Sequence, residues 1–199
     1  MEANGNTVIT EAGKQNKTTR ISEKFKEILS ILEFDLNDQQ IKETPQRWAK
    51  MMVNELLIGC YTPEPEITVF ENTKKYDEMV FVGPIQIKSM CSHHFVPFVG
   101  EAYIAYIPDK KVIGISKLAR ITKWFMRRPQ IQEELTQQIA NYVQENLSPK
   151  GVGVFIEAQH LCMVARGVEE NNSKMSTSAL RGNFLDPSTR EEFFNIIRR

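Results

Sequence analysis

Cysteine and histidine are scarce in this sequence, with three of each among 199 residues. So few cysteines favour thiols or metal ligands in a reducing compartment over disulfides. No apolar run approaches the roughly 20 residues that a membrane-spanning helix needs. The formal net charge is zero, so overall charge does not predict binding to nucleic acid or to an acidic membrane surface.

The N-terminal residues 1–19 are polar and lack the apolar core of a signal peptide. We therefore predict a flexible tail at 1–19 and a cytoplasmic protein. Ser22 is predicted to cap a first helix, and Thr44-Pro45 to open a second helix that ends at Gly59. These two helices form the predicted N-terminal pair at 20–62.

The rest of the chain, 63–199, is predicted to be one α+β domain. Short segments rich in β-forming residues are separated by turn residues such as Gly83-Pro84 and favour an antiparallel meander. Those segments are 67–70, 79–82, 85–89, 95–98, 101–107 and 112–115. Helices are predicted at 116–127, 129–147 and from Pro187 onwards, with one long strand at 151–166. Helices inserted between antiparallel strands predict an α+β fold with helices on one face of the sheet.

All three histidines and two of the three cysteines lie in two patches, 90–95 and 159–162. Cys91 and His94 have the spacing of zinc ligands on a turn, and Cys162 would supply a third ligand from another strand. His160 and Cys162 share a face if that strand is regular. An open catalytic zinc site has three protein ligands and a place for water. A closed structural site, with His93 or His160 as fourth ligand, is the alternative.

Basic residues are scattered near these patches. Ser116, Lys117 and Arg120 open a helix, where free backbone N–H groups attract anions. Arg166 follows Cys162 by four residues. Each residue alone is more typical of a surface charge, but together they indicate a multiply charged anion beside a metal, most simply a nucleotide phosphate chain.

Two further groups have both an ordinary and a functional interpretation. Glu133, next to Gln132, is either a first-turn carboxylate favoured by the helix dipole or an acceptor of two N–H bonds from a guanine edge. Arg47 and Lys50, three residues apart on one helix, have the spacing of a solvated surface pair.

Taken together, these motifs resemble those of the GTP cyclohydrolase I family. The resemblance covers roughly residues 22–199, and its motifs occur in the right order and at the right distances. The matching stretches are 43–51, 91–100, 105–108, 112–117, 128–135, 157–168 and 189–193.

The resemblance implies a tunnelling fold: a four-stranded antiparallel sheet with two antiparallel helices on one face, preceded by an N-terminal helical pair. It also implies a homodecamer, a dimer of pentamers, in which each active site is shared between subunits. Such sharing would explain why the basic residues are so widely spaced in the sequence.

The resemblance also implies roles for individual residues. Cys91, His94 and Cys162 match the zinc ligands, His93 the main proton-transfer histidine and His160 a second imidazole. Glu133 matches the guanine-binding carboxylate, and Gln132 beside it is also expected to bind the substrate. The residues that match the surroundings of the triphosphate are Arg47, Lys50, Ser116, Lys117, Arg120 and Arg166.

The implied reaction converts GTP and water to 7,8-dihydroneopterin triphosphate and formate. The sequence departs from the family at Ser92, where the family usually has glutamate between the cysteine and the two histidines. Ser92 is either a tolerated variant or a change that alters activity, since loss of a carboxylate shifts the pKa of nearby imidazoles. A related enzyme with altered nucleotide chemistry and a silent nucleotide-binding paralogue therefore stay open as alternatives.

Overall fold

The computed structural model describes residues 8–199, and the chain divides into two units, one ending at Pro63 and the other Glu64–Arg199. The first unit contains α1 (Glu11–Ile31), α2 (Thr44–Met51), a π-helical turn (Met52–Leu56) and a 3-10 turn (Ile58–Cys60). Phe25 and Trp48 stack between α1 and α2 with ring centroids 4.4 Å apart. Two helices therefore pack as a pair in this unit.

Helix α1 begins at Glu11, so the prediction of a flexible tail is wrong for residues 11–19. Thr10 caps the helix by accepting a hydrogen bond from the Gly13 N–H. Thr18 is buried, and the ammonium group of Lys17 lies 5.5 Å from the ring centre of Tyr61. These contacts order a segment that has little apolar surface of its own. Residues 1–7 of the predicted tail lie outside the described residues.

The second unit is built on two sheets. Its strands are β1 (Val69–Glu71), β2 (Val80–Cys91), β3 (Pro97–Ile107), β4 (Lys111–Ile113), β5 (Pro129–Gln130), β6 (Gly151–His160) and β7 (Met175–Gly182). The larger sheet has the order β5–β2–β3–β6–β7, and β1 pairs with β4 separately. All pairs are antiparallel except the short one between β5 and the end of β2.

Two helices pack on one face of the larger sheet, and a third packs on part of the opposite face, which the prediction of helices on one face did not include. The helices of this unit are α3 (Ile115–Met126), α4 (Gln132–Leu147), α5 (Leu161–Val164) and α6 (Pro187–Ile197). Because side chains alternate along a strand, Ile104 and Val154 point into one apolar core with Leu118 of α3 and Ile139 of α4. Ala105 and Ile107 point to the other face and pack with Phe184 and with Phe193 of α6. The α+β class is thus confirmed.

Three strand predictions need correction. β2 continues through Gly83-Pro84, where a register shift between Val82 and Ile85 absorbs the irregularity. β3 joins the two segments predicted at 95–98 and 101–107 into one strand. The strand predicted at 151–166 ends at His160, because the chain turns into α5.

Strand β7 was not predicted. Its inward-facing positions are filled by small or polar residues such as Thr177 and Ala179, so it lacks the strong apolar alternation of its neighbours. In the part of the chain that the structure describes, no helix is long and apolar enough to cross a membrane.

Candidate metal centre and its surroundings

The first half of the site is the tight turn between β2 and β3. Cys91 ends β2, donates its backbone N–H to the Val96 carbonyl (3.0 Å) and accepts from the Phe95 N–H (2.9 Å). Phe95 has a positive φ of 51°, which lets the chain reverse within a few residues. The turn buries Cys91, only 3% exposed, and leaves 92–95 exposed.

The buried residue Gln130 supports this turn. Cys91 pairs with Gln130 of β5, whose carbonyl accepts the Ser92 N–H at 3.2 Å. The Gln130 amide nitrogen donates to the Phe125 carbonyl at 2.6 Å and to the Ser89 hydroxyl at 3.2 Å. These bonds tie the turn to the end of α3.

The second half of the site comes from the end of β6 and the start of α5. His160 is the last residue of β6, and Cys162 lies in the single turn of α5. The Sγ atoms of Cys91 and Cys162 and one ring nitrogen of His160 all lie within 4.8 Å of one another. Because β3 pairs with both β2 and β6, the sheet brings together residues that are about 70 positions apart.

The ring of His160 is fixed on two sides. It stacks on Phe98, with centroids 4.8 Å apart and planes at 10°. Its Nε2 lies 2.9 Å from Oε1 of Gln132. Burial lowers the pKa of His160, and the nearby charge of Glu133 opposes that shift. Burial therefore favours the neutral ring, which keeps one nitrogen lone pair.

The two thiols affect each other. Burial raises the pKa of the Cys162 thiol. The charge of Cys91 and its hydrogen bond to Cys162 raise this pKa further, and the charge of Arg166 lowers it. Two thiolates this close therefore require a compensating positive charge. Two soft sulfur donors and a neutral imidazole are a typical ligand set for zinc.

The other two histidines lie on the exposed turn. His93 Nδ1 is 3.8 Å from Cys91 Sγ, so this ring reaches the edge of the thiol pair. His94 is held elsewhere, because its Nε2 lies 3.0 Å from the Arg166 guanidinium. The structure thus brings Cys91 and Cys162 together with His160 rather than with His94, and the assignment of His94 as a metal ligand stays a prediction.

Of the predicted anion-binding residues, Ser116, Lys117 and Arg120 do lie in the first turns of α3. Ser116 and Arg120 are exposed, and the ammonium group of Lys117 donates to the Glu66 carbonyl at 3.3 Å. Arg47 and Lys50 are exposed on α2 of the first unit.

Glu133 and Gln132, both predicted to bind the substrate, differ sharply in exposure. Glu133 is exposed in the first turn of α4 and is free to accept hydrogen bonds from a ligand. Gln132 is fully buried, and both ends of its amide are used inside the protein. A direct contact between the Gln132 side chain and a ligand would require breaking these bonds, and its role in substrate binding stays a prediction.

Phe98 and Gln130 are the site residues that the sequence interpretation missed. Phe98 lies directly opposite His160 in the β3–β6 register, and Gln130 lies opposite Cys91 in the β2–β5 pair. Either could have been found from the strand register, but not from residue type or spacing alone.

Comparisons with known proteins agree with one family. The model of the GTP cyclohydrolase I family matches residues 21–198. The chain is 46% identical over 187 residues to GTP cyclohydrolase 1 of Aliivibrio salmonicida, covering 93% of this chain and 86% of that protein. It is 48% identical over 181 residues to GTP cyclohydrolase 1 of Chlorobium phaeovibrioides, covering 89% and 80%.

The crystal structure of the archaeosine synthase QueF-Like in the apo form aligns with a TM-score of 0.41 and 17% identity, over 52% of this chain and 93% of that one. This likeness is too weak to support a conclusion. The family match and the two relatives cover most of the sequence, and the chain therefore belongs to the GTP cyclohydrolase I family.

Proposed function

We propose that this chain is a GTP cyclohydrolase that converts GTP and water to 7,8-dihydroneopterin triphosphate and formate. The observation that carries the proposal is the group of Cys91, His160 and Cys162, with ligand atoms within 4.8 Å of one another, in a chain of this family. Two thiols this close are costly to ionise unless a positive charge compensates them, and a bound metal ion would supply that charge.

Zinc is the proposed cofactor, because two thiolates and an imidazole suit it and leave a fourth position for water. Bound zinc would supply Lewis acidity that makes water reactive near neutral pH. Cys91 and Cys162 are the proposed sulfur ligands, and His94 is kept as the proposed third ligand on the strength of the family motif. The geometry of the chain alone favours His160 in that position.

These two possibilities for the third ligand predict different zinc contents. If His94 is the ligand, His94→Ala loses zinc and His160→Ala retains it. If His160 is the ligand, the outcome is reversed. Zinc measured by mass spectrometry after dialysis distinguishes them, and Cys162→Ala, which should lose the metal in either case, is the reference.

The histidines and Glu133 are proposed to act on the base. His93, exposed beside Cys91, would donate a proton to N7 of guanine, and His160 would accept or return protons during the later rearrangement. The Glu133 carboxylate would accept N–H bonds from the guanine edge. These contacts would hold the base still while its ring opens.

Five basic residues and one serine are proposed to hold the triphosphate: Arg47, Lys50, Ser116, Lys117, Arg120 and Arg166. The first turn of α3 supports this, because its free backbone N–H groups and dipole attract anions. Charge-reversing Arg120→Glu should raise the KM for GTP more than it lowers kcat, since it removes binding common to substrate and transition state.

Ser92 is the residue at which the chain departs from the family motif. Its backbone is held by Gln130 and its side chain is exposed, so glutamate would fit there without disturbing the core. We propose that Ser92 is a tolerated variant. Turnover comparable to that of Ser92→Glu supports this, whereas formate release only from Ser92→Glu would favour a silent nucleotide-binding paralogue.

Assembly and location are proposed from the family. We infer a tunnelling fold and a homodecamer of two pentamers with shared active sites, in the cytoplasm. Light scattering after size-exclusion chromatography tests the assembly, because a monomer of 22.9 kDa and a decamer differ tenfold in mass.

The activity itself is tested by incubating zinc-loaded protein with GTP and following formate and the dihydropterin chromophore in one sample. Equal amounts of both products support the proposal. GTP binding without formate would contradict it, and a chelator-treated sample is the control.

A further inference from the structure

Gln132 is the most completely hydrogen-bonded side chain near the metal centre. It is fully buried, and its amide nitrogen lies 3.1 Å from the Ile156 carbonyl, 3.0 Å from the Met175 carbonyl and 3.1 Å from the Thr177 hydroxyl. Three oxygens therefore share the two hydrogens of one amide group.

This arrangement fixes which way the amide points. Backbone carbonyls only accept hydrogen bonds, so the amide nitrogen of Gln132, rather than its oxygen, must face Ile156 and Met175. Thr136 donates to the backbone carbonyl of Gln132 at 2.8 Å, so its hydroxyl can only accept from the Thr177 hydroxyl, 2.7 Å away. The Thr177 oxygen is then left as an acceptor for the Gln132 amide nitrogen. The amide oxygen Oε1 of Gln132 is thereby left pointing at His160.

The orientation of Gln132 dictates the protonation of His160. Oε1 can only accept, and it lies 2.9 Å from His160 Nε2, so Nε2 must carry a hydrogen. In a neutral ring the lone pair then resides on Nδ1. Because Phe98 holds the plane of the ring, His160 cannot rotate freely to exchange the two nitrogens.

We propose that Gln132 is a positioning residue that selects the Nε2–H tautomer of His160 and so places the lone pair of the neutral ring on Nδ1. Buried partners of this kind commonly fix the tautomer of histidines at metal sites. This task would replace the substrate contact predicted for Gln132. Its effect on turnover rests on the proposed function, whereas its effect on the tautomer does not.

The tautomer is measured by nitrogen-15 NMR of histidine-labelled, metal-free full-length chain at mildly alkaline pH. The chain has only three histidines, and one His→Ala variant at a time assigns them. The wild-type chain should show His160 with the proton on Nε2. Gln132→Leu, which removes the acceptor, should give a measurable population with the proton on Nδ1.

Two variants serve as comparisons. Gln132→Glu keeps an acceptor oxygen towards His160. Its second oxygen would face the Ile156 and Met175 carbonyls and must be protonated there to donate to them. This variant should keep the Nε2–H form. Thr122→Val is the matched control, because Thr122 is also buried but donates to the Leu118 carbonyl within α3; it should leave the His160 signals unchanged.

A wild-type His160 that carries its proton on Nδ1, or a Gln132→Leu spectrum identical to the wild type, would overturn the proposal. If Gln132→Leu does not fold, the wild-type and Gln132→Glu spectra still decide, since loss of the Nε2–H form in Gln132→Glu contradicts the role of the acceptor.

Kinetics separates positioning from substrate contact. A positioning role predicts that kcat for GTP falls by about 10- to 100-fold in Gln132→Leu, as for other supporting residues at metal sites, with KM little changed. A rise in KM with unchanged kcat would instead indicate a guanine contact. A wild-type chain that does not turn over GTP would refute the proposed function and leave the NMR result standing.

Discussion

The stacking of Phe98 on His160 predicts a measurable coupling between the apolar core and the metal centre. Phe98 is fully buried, and the two rings are nearly parallel at 4.8 Å. Phe98→Leu keeps an apolar side chain but removes the flat surface on which the imidazole rests. His160→Ala removes the other ring. The two variants and their combination form a double-mutant cycle.

The size of the coupling follows from the contacts. Phe98→Leu should cost about 1–3 kcal/mol of unfolding free energy through lost packing. His160→Ala leaves Oε1 of Gln132 buried without its donor, which costs about 1–3 kcal/mol. That second cost occurs in both the single and the double variant, so the cycle removes it. The remaining coupling should be about 0.5–1.5 kcal/mol, the contribution of a stacked pair beyond area burial.

The assay is urea denaturation of metal-free protein at one fixed protein concentration. The double variant should be less destabilised than the sum of the single variants. Phe193 packs in the other apolar cluster, so Phe98→Leu combined with Phe193→Leu is the control and should be additive within about 0.3–0.5 kcal/mol. A Phe98–His160 coupling no larger than that of the control would refute the stacking argument.

Three other contacts give predictions. Glu101→Gln should lower the pKa of Tyr103 from about 12 towards its usual 10.0, because the hydrogen bond to Glu101 is the main cause of the raised value; ultraviolet titration measures this. Since that pKa is raised in the folded state, its stabilisation is complete below pH 10.0 and is lost as the pH rises through about 12, so the wild type should lose stability over that range relative to Tyr103→Phe. Gly153→Ala should destabilise the protein by about 1–3 kcal/mol in urea, because the new Cβ would lie 2.8 Å from the Phe184 ring.

Opposite results would contradict those contacts in different ways. A Tyr103 titration that is the same in Glu101→Gln would mean that the hydrogen bond does not hold in solution. Equal pH dependence of wild type and Tyr103→Phe would remove the link to stability. A Gly153→Ala protein as stable as the wild type would show that Phe184 can move away at little cost.

The helices were largely predictable from the sequence, because local signals mark them. Pro45 and Pro187 stand in the first turns of α2 and α6, and Asp186 caps α6 by accepting the Ser188 N–H at 2.9 Å. The helix predicted at 129–147 begins only at Gln132, because Pro129 lies in β5. The start of α1 was not predictable in this way. Residues 11–19 have no apolar stripe, and their order depends on contacts such as that between Lys17 and Tyr61.

The strands were harder to predict than the helices, because the residues at which a strand begins and ends depend on pairing between distant segments. Gly83-Pro84 has the composition of a turn, yet pairing with β3 carries β2 through it. β7 depends on β6 for its register and has little alternation of its own. The end of β6 at His160 likewise could not be predicted, because no glycine or proline follows at 161–166.

The candidate site was predictable in its chemistry but not in its geometry. The scarcity of histidine and cysteine pointed to the right patches, and the sheet brings Cys91, His160 and Cys162 together. The bond of His94 to Arg166 and the burial of Gln132 depend on tertiary contacts. Spacing along the sequence contains no information about either.

The most direct test of the metal centre is zinc X-ray absorption on the zinc-loaded full chain. Two sulfur neighbours at about 2.3 Å, together with nitrogen or oxygen neighbours at about 2.0 Å, are expected if Cys91 and Cys162 bind the ion. The sulfur signal should fall by half or vanish in Cys162→Ser. A zinc ion with only nitrogen and oxygen neighbours in the wild type would contradict the account.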